Sequence, residues 1–125
     1  VNAWLAVALG SALGGVARHG IARLWPMVPG AWPVATMSVN IAGSFAIGLL
    51  AALFMARGSG DTARLFWMTG VLGGFTTYSA FALETVTLAS AGAAGRAAFY
   101  VAATVALCLV AAVAGRTVGL ALAGD

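Results

Sequence analysis

Four apolar stretches, near residues 2–24, 32–56, 63–90 and 96–122, fill almost the whole chain and leave charges mainly at their edges. A hydrocarbon layer of about 30 Å is crossed by roughly 20 helical residues rising about 1.5 Å each. Every stretch meets that length. The pattern predicts an all-α membrane protein with four transmembrane helices, forming one membrane domain over residues 1–125. Composition agrees: 62% of the 125 residues are hydrophobic and 7% charged, against about 25% charged in an ordinary soluble domain. So few charges cannot cover a water-facing surface, and lipid must cover it. Four helices of this size are too few for a useful pore in one copy, so an oligomer is expected.

The span limits carry local signals. Trp4 and Trp25 bracket the first span, separated by roughly 30 Å of helix, and both rings can sit in the headgroup belts. Pro26 and Pro29 end it. Trp32-Pro33 opens the second span, proline being tolerated in a first helical turn, and Arg57-Gly58-Ser59-Gly60 stops it. Asp61 or Thr62 is expected to cap the third, and a Gly/Ala turn after Ser90 leads to the fourth. The first stretch lacks a basic leading region and is too long for a cleavable signal peptide, so none is expected.

The basic residues are six arginines, Arg18, Arg23, Arg57, Arg64, Arg96 and Arg116, against Asp61, Glu84 and Asp125. They are scattered and mostly flank apolar runs, as helix-end anchors do, rather than clustering on one face as nucleic-acid binding needs. Four spans put both termini on one side. Counting arginines in the short loops then gives nearly no excess on either side, which leaves two readings: a weak orientation bias, or insertion both ways. The lone Cys108 excludes an intrachain disulfide and a cysteine-based zinc site.

Glycines four apart, Gly10 with Gly14 and Gly70 with Gly74, and Gly43 with Gly48 on the second span, fit close helix packing. Polar residues within the spans say more, because such a group in hydrocarbon needs a partner or a water-filled route. Thr36, Asn40 and Ser44 share one helix face, and Tyr100, Thr104 and Cys108 share another. Hydrogen bonding between helices explains either stripe alone. Two stripes of neutral donors in one small protein fit a narrow polar pathway, and donors without carboxylates suit an anion. Arg18 lies deeper than the other arginines. It can snorkel to the interface or raise the potential of a vestibule. His19, beside it, reads as structural.

The third span contains Gly70-Val71-Leu72-Gly73-Gly74-Phe75-Thr76-Thr77-Tyr78-Ser79-Ala80-Phe81. Glycines followed by paired β-branched threonines suit a helix interior poorly, so a break is predicted between Gly73 and Thr77. Backbone carbonyls freed at membrane depth can hold a cation. Beyond the break, Tyr78 and Phe81 project from one face. Aromatic ring edges are electropositive and can solvate a small anion without trapping it.

Taken together, Gly14-Gly15-Val16-Ala17-Arg18, Asn40-Ile41-Ala42-Gly43-Ser44-Phe45 and Gly73-Gly74-Phe75-Thr76-Thr77-Tyr78-Ser79-Ala80-Phe81 with Glu84-Thr85 resemble the Fluc (CrcB-type) fluoride channel family over essentially the whole chain. The resemblance implies an antiparallel, dual-topology homodimer in the bacterial cytoplasmic (inner) membrane, with two fluoride pores. It also implies a structural sodium ion on the dimer axis, held by the Gly73 and Thr76 carbonyls of both copies. The implied fluoride path takes in Asn40, Tyr78, Phe81 and Ser79, the second-span Thr36, and the track Tyr100, Thr104 and Cys108, with Arg18 at the vestibule. Two positions depart from the family: Tyr78 stands where phenylalanine is usual, and Cys108 where serine is. The implied activity is passive fluoride export driven by the membrane potential, with no enzymatic chemistry. Two other classes fit less of the sequence. A four-helix multidrug exporter needs a membrane-embedded carboxylate, for which only Glu84 is available, and a non-transporting assembly subunit leaves Asn40 and the paired threonines without a purpose.

Overall fold

The computed structural model describes residues 2–124; Val1 and Asp125, the latter counted in the charge balance above, lie outside the described residues. Helix α1 spans Ala3–Leu24 and starts where the Asn2 side chain accepts a hydrogen bond from the Trp4 backbone N–H at 2.7 Å. Helix α2 spans Val34–Arg57. Pro33 stands just outside it rather than within its first turn. Gly58 ends α2 in the left-handed conformation, φ 58°, which glycine adopts without a Cβ penalty.

The third membrane segment is divided. Its first part, α3, covers 61–75. It opens as Asp61–Arg64, widens to an i→i+5 π register over Leu65–Leu72 and closes with Gly73–Phe75. Gly60, extended at φ −61° and ψ 152°, takes the cap position expected of Asp61 or Thr62. Asp61 instead lies in the first turn, where its charge favours the positive helix end. After an interruption at Thr76 and Thr77, α4 runs Tyr78–Ser90. A short turn leads to α5, Ala94–Ala123, the longest helix at 30 residues. Helices α1, α2 and α5 are each long and apolar enough to cross a membrane alone. Neither half of the third segment is, and only the broken pair together covers that depth.

The helices associate as two tight pairs, α1 with α3 and α2 with α5. Small residues set both contacts. A Cβ on Gly14 would overlap the Val71 carbonyl of α3, and one on Gly115 would overlap the Phe45 carbonyl of α2. Gly10 and Gly70, one from each of the two spaced pairs, meet each other across the first interface. Large apolar side chains such as Val16, Leu109, Val110 and Val113 point outward and are mostly exposed, the arrangement of a protein solvated by lipid. A buried cluster consists of Phe81, Leu88, Ala97 and Tyr100, with Trp32 and Met37 packed on it. It sits beside the break.

Candidate functional site

Everything distinctive about this chain converges on the interruption between α3 and α4. Thr76 closes α3: its backbone N–H and its hydroxyl both donate to the Leu72 carbonyl, each at 3.0 Å. The chain then turns extended, with Thr76 at ψ 160° and Thr77 at φ −152° and ψ 117°. Such backbone has no ladder of its own and needs partners in a low-dielectric interior. Asn40 on α2 supplies them. Its Nδ2 donates to the Thr77 carbonyl at 2.9 Å, and its Oδ1 accepts from the Thr77 N–H at 2.8 Å. This two-point clasp mimics a strand pairing with one side chain. The Thr77 hydroxyl then accepts from the Ala80 N–H at 3.2 Å and so caps α4. Gly43, one turn on from Asn40, makes room for the break, because a Cβ there would strike the Thr76 methyl.

These bonds change what the carbonyls see. In a regular helix the Gly73 carbonyl would accept from Thr77 N–H and the Thr76 carbonyl from Ala80 N–H. Both donors are engaged elsewhere, by Asn40 and by the Thr77 hydroxyl. Gly73 and Thr76 line the same groove. Among the described residues no group of three or more His, Cys, Asp or Glu side chains could hold a metal.

That groove, about 340 Å³, brings together Asn40, Tyr78, Phe81, Thr104 and Cys108 with the two freed carbonyl residues. Among the described residues no charged side chain lines it. Phe81 is buried and Tyr78 exposed, their rings meeting edge-on with centroids 5.6 Å apart. The Thr104 hydroxyl is buried without a hydrogen-bond partner among the described residues, an uncommon state for a buried polar atom. Cys108 is a free, half-buried thiol.

The remaining sequence-derived residues are placed elsewhere. Thr36 and Arg18 line a second cavity of about 310 Å³, separated from the first by Thr77, which borders both. Arg18 Nε donates to the Gly74 carbonyl at 3.1 Å, so the arginine ties α1 to the end of α3. Ser79 is exposed, 3.4 Å from the Thr77 hydroxyl, and borders neither cavity. Tyr100 is fully buried and also borders neither. The two expected stripes are therefore not rows of free donors. Ser44 folds back onto the Asn40 carbonyl at 2.7 Å, while Thr36 and Tyr100 both donate to Glu84, at 2.5 and 3.0 Å.

Glu84 thus joins α2, α4 and α5 through one carboxylate, a role the sequence reading did not assign. The signal was present: Glu84 follows Phe81 by three residues and so shares its inward face. Thr77 was likewise placed at the break without a role, although a threonine directly before a helical run is a capping signature.

These features define a polytopic helical membrane protein with a charge-free groove at a broken helix. The chain belongs to the CrcB-like (camphor resistance, CrcB) protein family, whose model matches residues 5–116. It is 50% identical over 121 residues, 97% of each chain, to a Paracoccus denitrificans protein named fluoride-specific ion channel FluC. Proteins of the same name from Hyphomonas neptunium, 48% identical over 80% of this chain and 81% of the relative, and Caulobacter vibrioides, 44% identical over 94% and 95%, are also similar. The expectation that the chain is not an enzyme agrees with this family, whose members here carry ion-channel names.

Proposed function

We propose that the chain is a fluoride-selective channel that lets fluoride leave the cytoplasm passively and so lowers its toxicity. The observation that carries this reading is the groove: among the described residues it has no charged side chain in its lining and holds a buried, unpaired hydroxyl at Thr104. An unpaired donor in a low-dielectric site favours an anion, and the smallest halide fits the tightest donor set. Fluoride passes the second N–H of Asn40, which the Thr77 clasp leaves over, the Thr104 hydroxyl and the ring edges of Tyr78 and Phe81. Cys108 adds a weaker thiol donor one turn from Thr104. Ser79 lies at the exposed rim, and Thr36 and Tyr100 shape the path through their bonds to Glu84. Arg18 borders the second cavity together with Glu84, and its guanidinium offsets that carboxylate for an anion entering there.

In this reading residues 1–125 form one four-helix membrane domain of the bacterial inner membrane. Two copies pair antiparallel, each contributing to two separate pores. The Gly73 and Thr76 carbonyls suit a structural sodium ion because their helical donors are diverted. One copy offers two such oxygens, and a partner copy brings the set to four. A sodium ion bound there would supply positive charge at the dimer centre, and Gly73 and Thr76 are the residues of this chain whose carbonyls would hold it. Growth tests this proposal. Expression in a fluoride-sensitive bacterium should restore growth in fluoride medium, and Asn40→Asp should not. Equal growth with and without the protein, at matched membrane expression, would overturn it.

A further inference from the structure

The two carbonyls assigned to the cation are each released by a side chain. Asn40 Oδ1 holds the Thr77 N–H that a continuous helix would give to Gly73, and Thr77 Oγ1 holds the Ala80 N–H that it would give to Thr76. A backbone carbonyl stripped of its partner at membrane depth costs several kcal/mol, so the helix would re-form its ladder unless something held the donors away. Here two side chains hold them, one donor each.

We infer that Asn40 and Thr77 are positioning residues for the cation site, quite apart from any contact Asn40 makes with the permeating anion. The inference rests on the sodium reading above. Asn40 fixes the extended Thr77 backbone from both sides, through its amide oxygen and its amide nitrogen. Thr77, so fixed, aims its hydroxyl at Ala80 and starts α4 one residue later. Gly43 lets Thr76 approach α2 closely enough for the clasp to form. One residue of α2 therefore sets the cation site on the broken helix while facing the groove. Cation binding and the anion path share a part.

The test reads sodium rather than flux. Thermal unfolding of the purified protein in detergent is followed as sodium replaces N-methylglucamine at constant ionic strength. A cation that binds only the folded state raises Tm with its concentration. Weakening the site by about the worth of one net hydrogen bond should move the onset of the Tm rise to about tenfold higher sodium. This is expected for Asn40→Ala and for Thr77→Val, while Thr77→Ser, which keeps the capping hydroxyl, should match the wild type. The two variants remove the two diversions separately, so if one does not fold the other decides. Wild-type sodium response in the folded variant overturns the inference, as does loss of the response in Thr77→Ser. Fluoride efflux of the wild type is measured alongside. Efflux without any sodium response overturns the inference and leaves the channel; a sodium response without efflux overturns the channel and leaves the inference.

Discussion

The glycine-lined helix pairs and the break solve the same problem, polar backbone inside a membrane, in opposite ways. In the α1–α3 and α2–α5 contacts each helix satisfies its own backbone, and the glycines only let two cylinders approach: Gly14 against Val71, Gly115 against Phe45. At the break the backbone is satisfied by side chains, Asn40 and Thr77, and two carbonyls are left over. The first arrangement is stable and inert. The second is held from outside and exposes polar atoms to a groove, which makes it the place where an ion can be handled.

If the two regions differ in this way, changes to them should separate folding from transport. The largest effect is expected from Gly115→Val or Gly14→Leu. Either side chain would press on a neighbouring backbone carbonyl, an overpacking that costs about 1–3 kcal/mol or more. Size-exclusion chromatography should show aggregated or dissociated protein. A folded, fully active Gly14→Leu would show that the pairing is looser than described. Next comes Asn40→Asp, which places a carboxylate where an N–H faced the groove. A like charge near 4 Å opposes an anion by about 4 kcal/mol at an intermediate dielectric, so fluoride flux should fall more than about a hundredfold in protein that still elutes as the intact assembly.

Thr104→Val is the sharper probe, because stability and function should part company. The hydroxyl has no partner in the folded chain, so its removal should leave Tm unchanged or slightly higher. Flux should drop about tenfold, since a donor to a charged group is worth about 1.5–3 kcal/mol. A lower Tm with normal flux would mean that the hydroxyl serves packing after all. The smallest effect belongs to Tyr78→Phe. Tyr78 is 81% exposed and its ring meets Phe81 edge-on, a contact phenylalanine keeps, so flux within about twofold of wild type is expected.

What the sequence disclosed follows the same division. The helical class, the break and the close-packing glycines were legible because each follows from a local rule: apolar length, helix propensity, small residues four apart. The family was legible because its motifs stand in order along the whole chain. Helical spacing also placed Asn40, Thr104 and Cys108 on inward faces. It could not say which donors were already engaged, since for Thr36 and Asn40 that depends on residues 48 and 37 positions away. Thr36 meets Glu84 and Asn40 meets Thr77 only once α2 lies against the third segment. The π register of Leu65–Leu72 has no local signal in the sequence. It emerges only from the fold.

The central claim is that the groove at the break passes fluoride and excludes chloride. Liposomes carrying the purified wild-type protein, loaded with either anion and opened electrically with a potassium ionophore, test it most directly. Fluoride should leave within seconds of ionophore addition while chloride stays behind. Equal release of both anions, or release of neither from correctly assembled protein, would contradict the account.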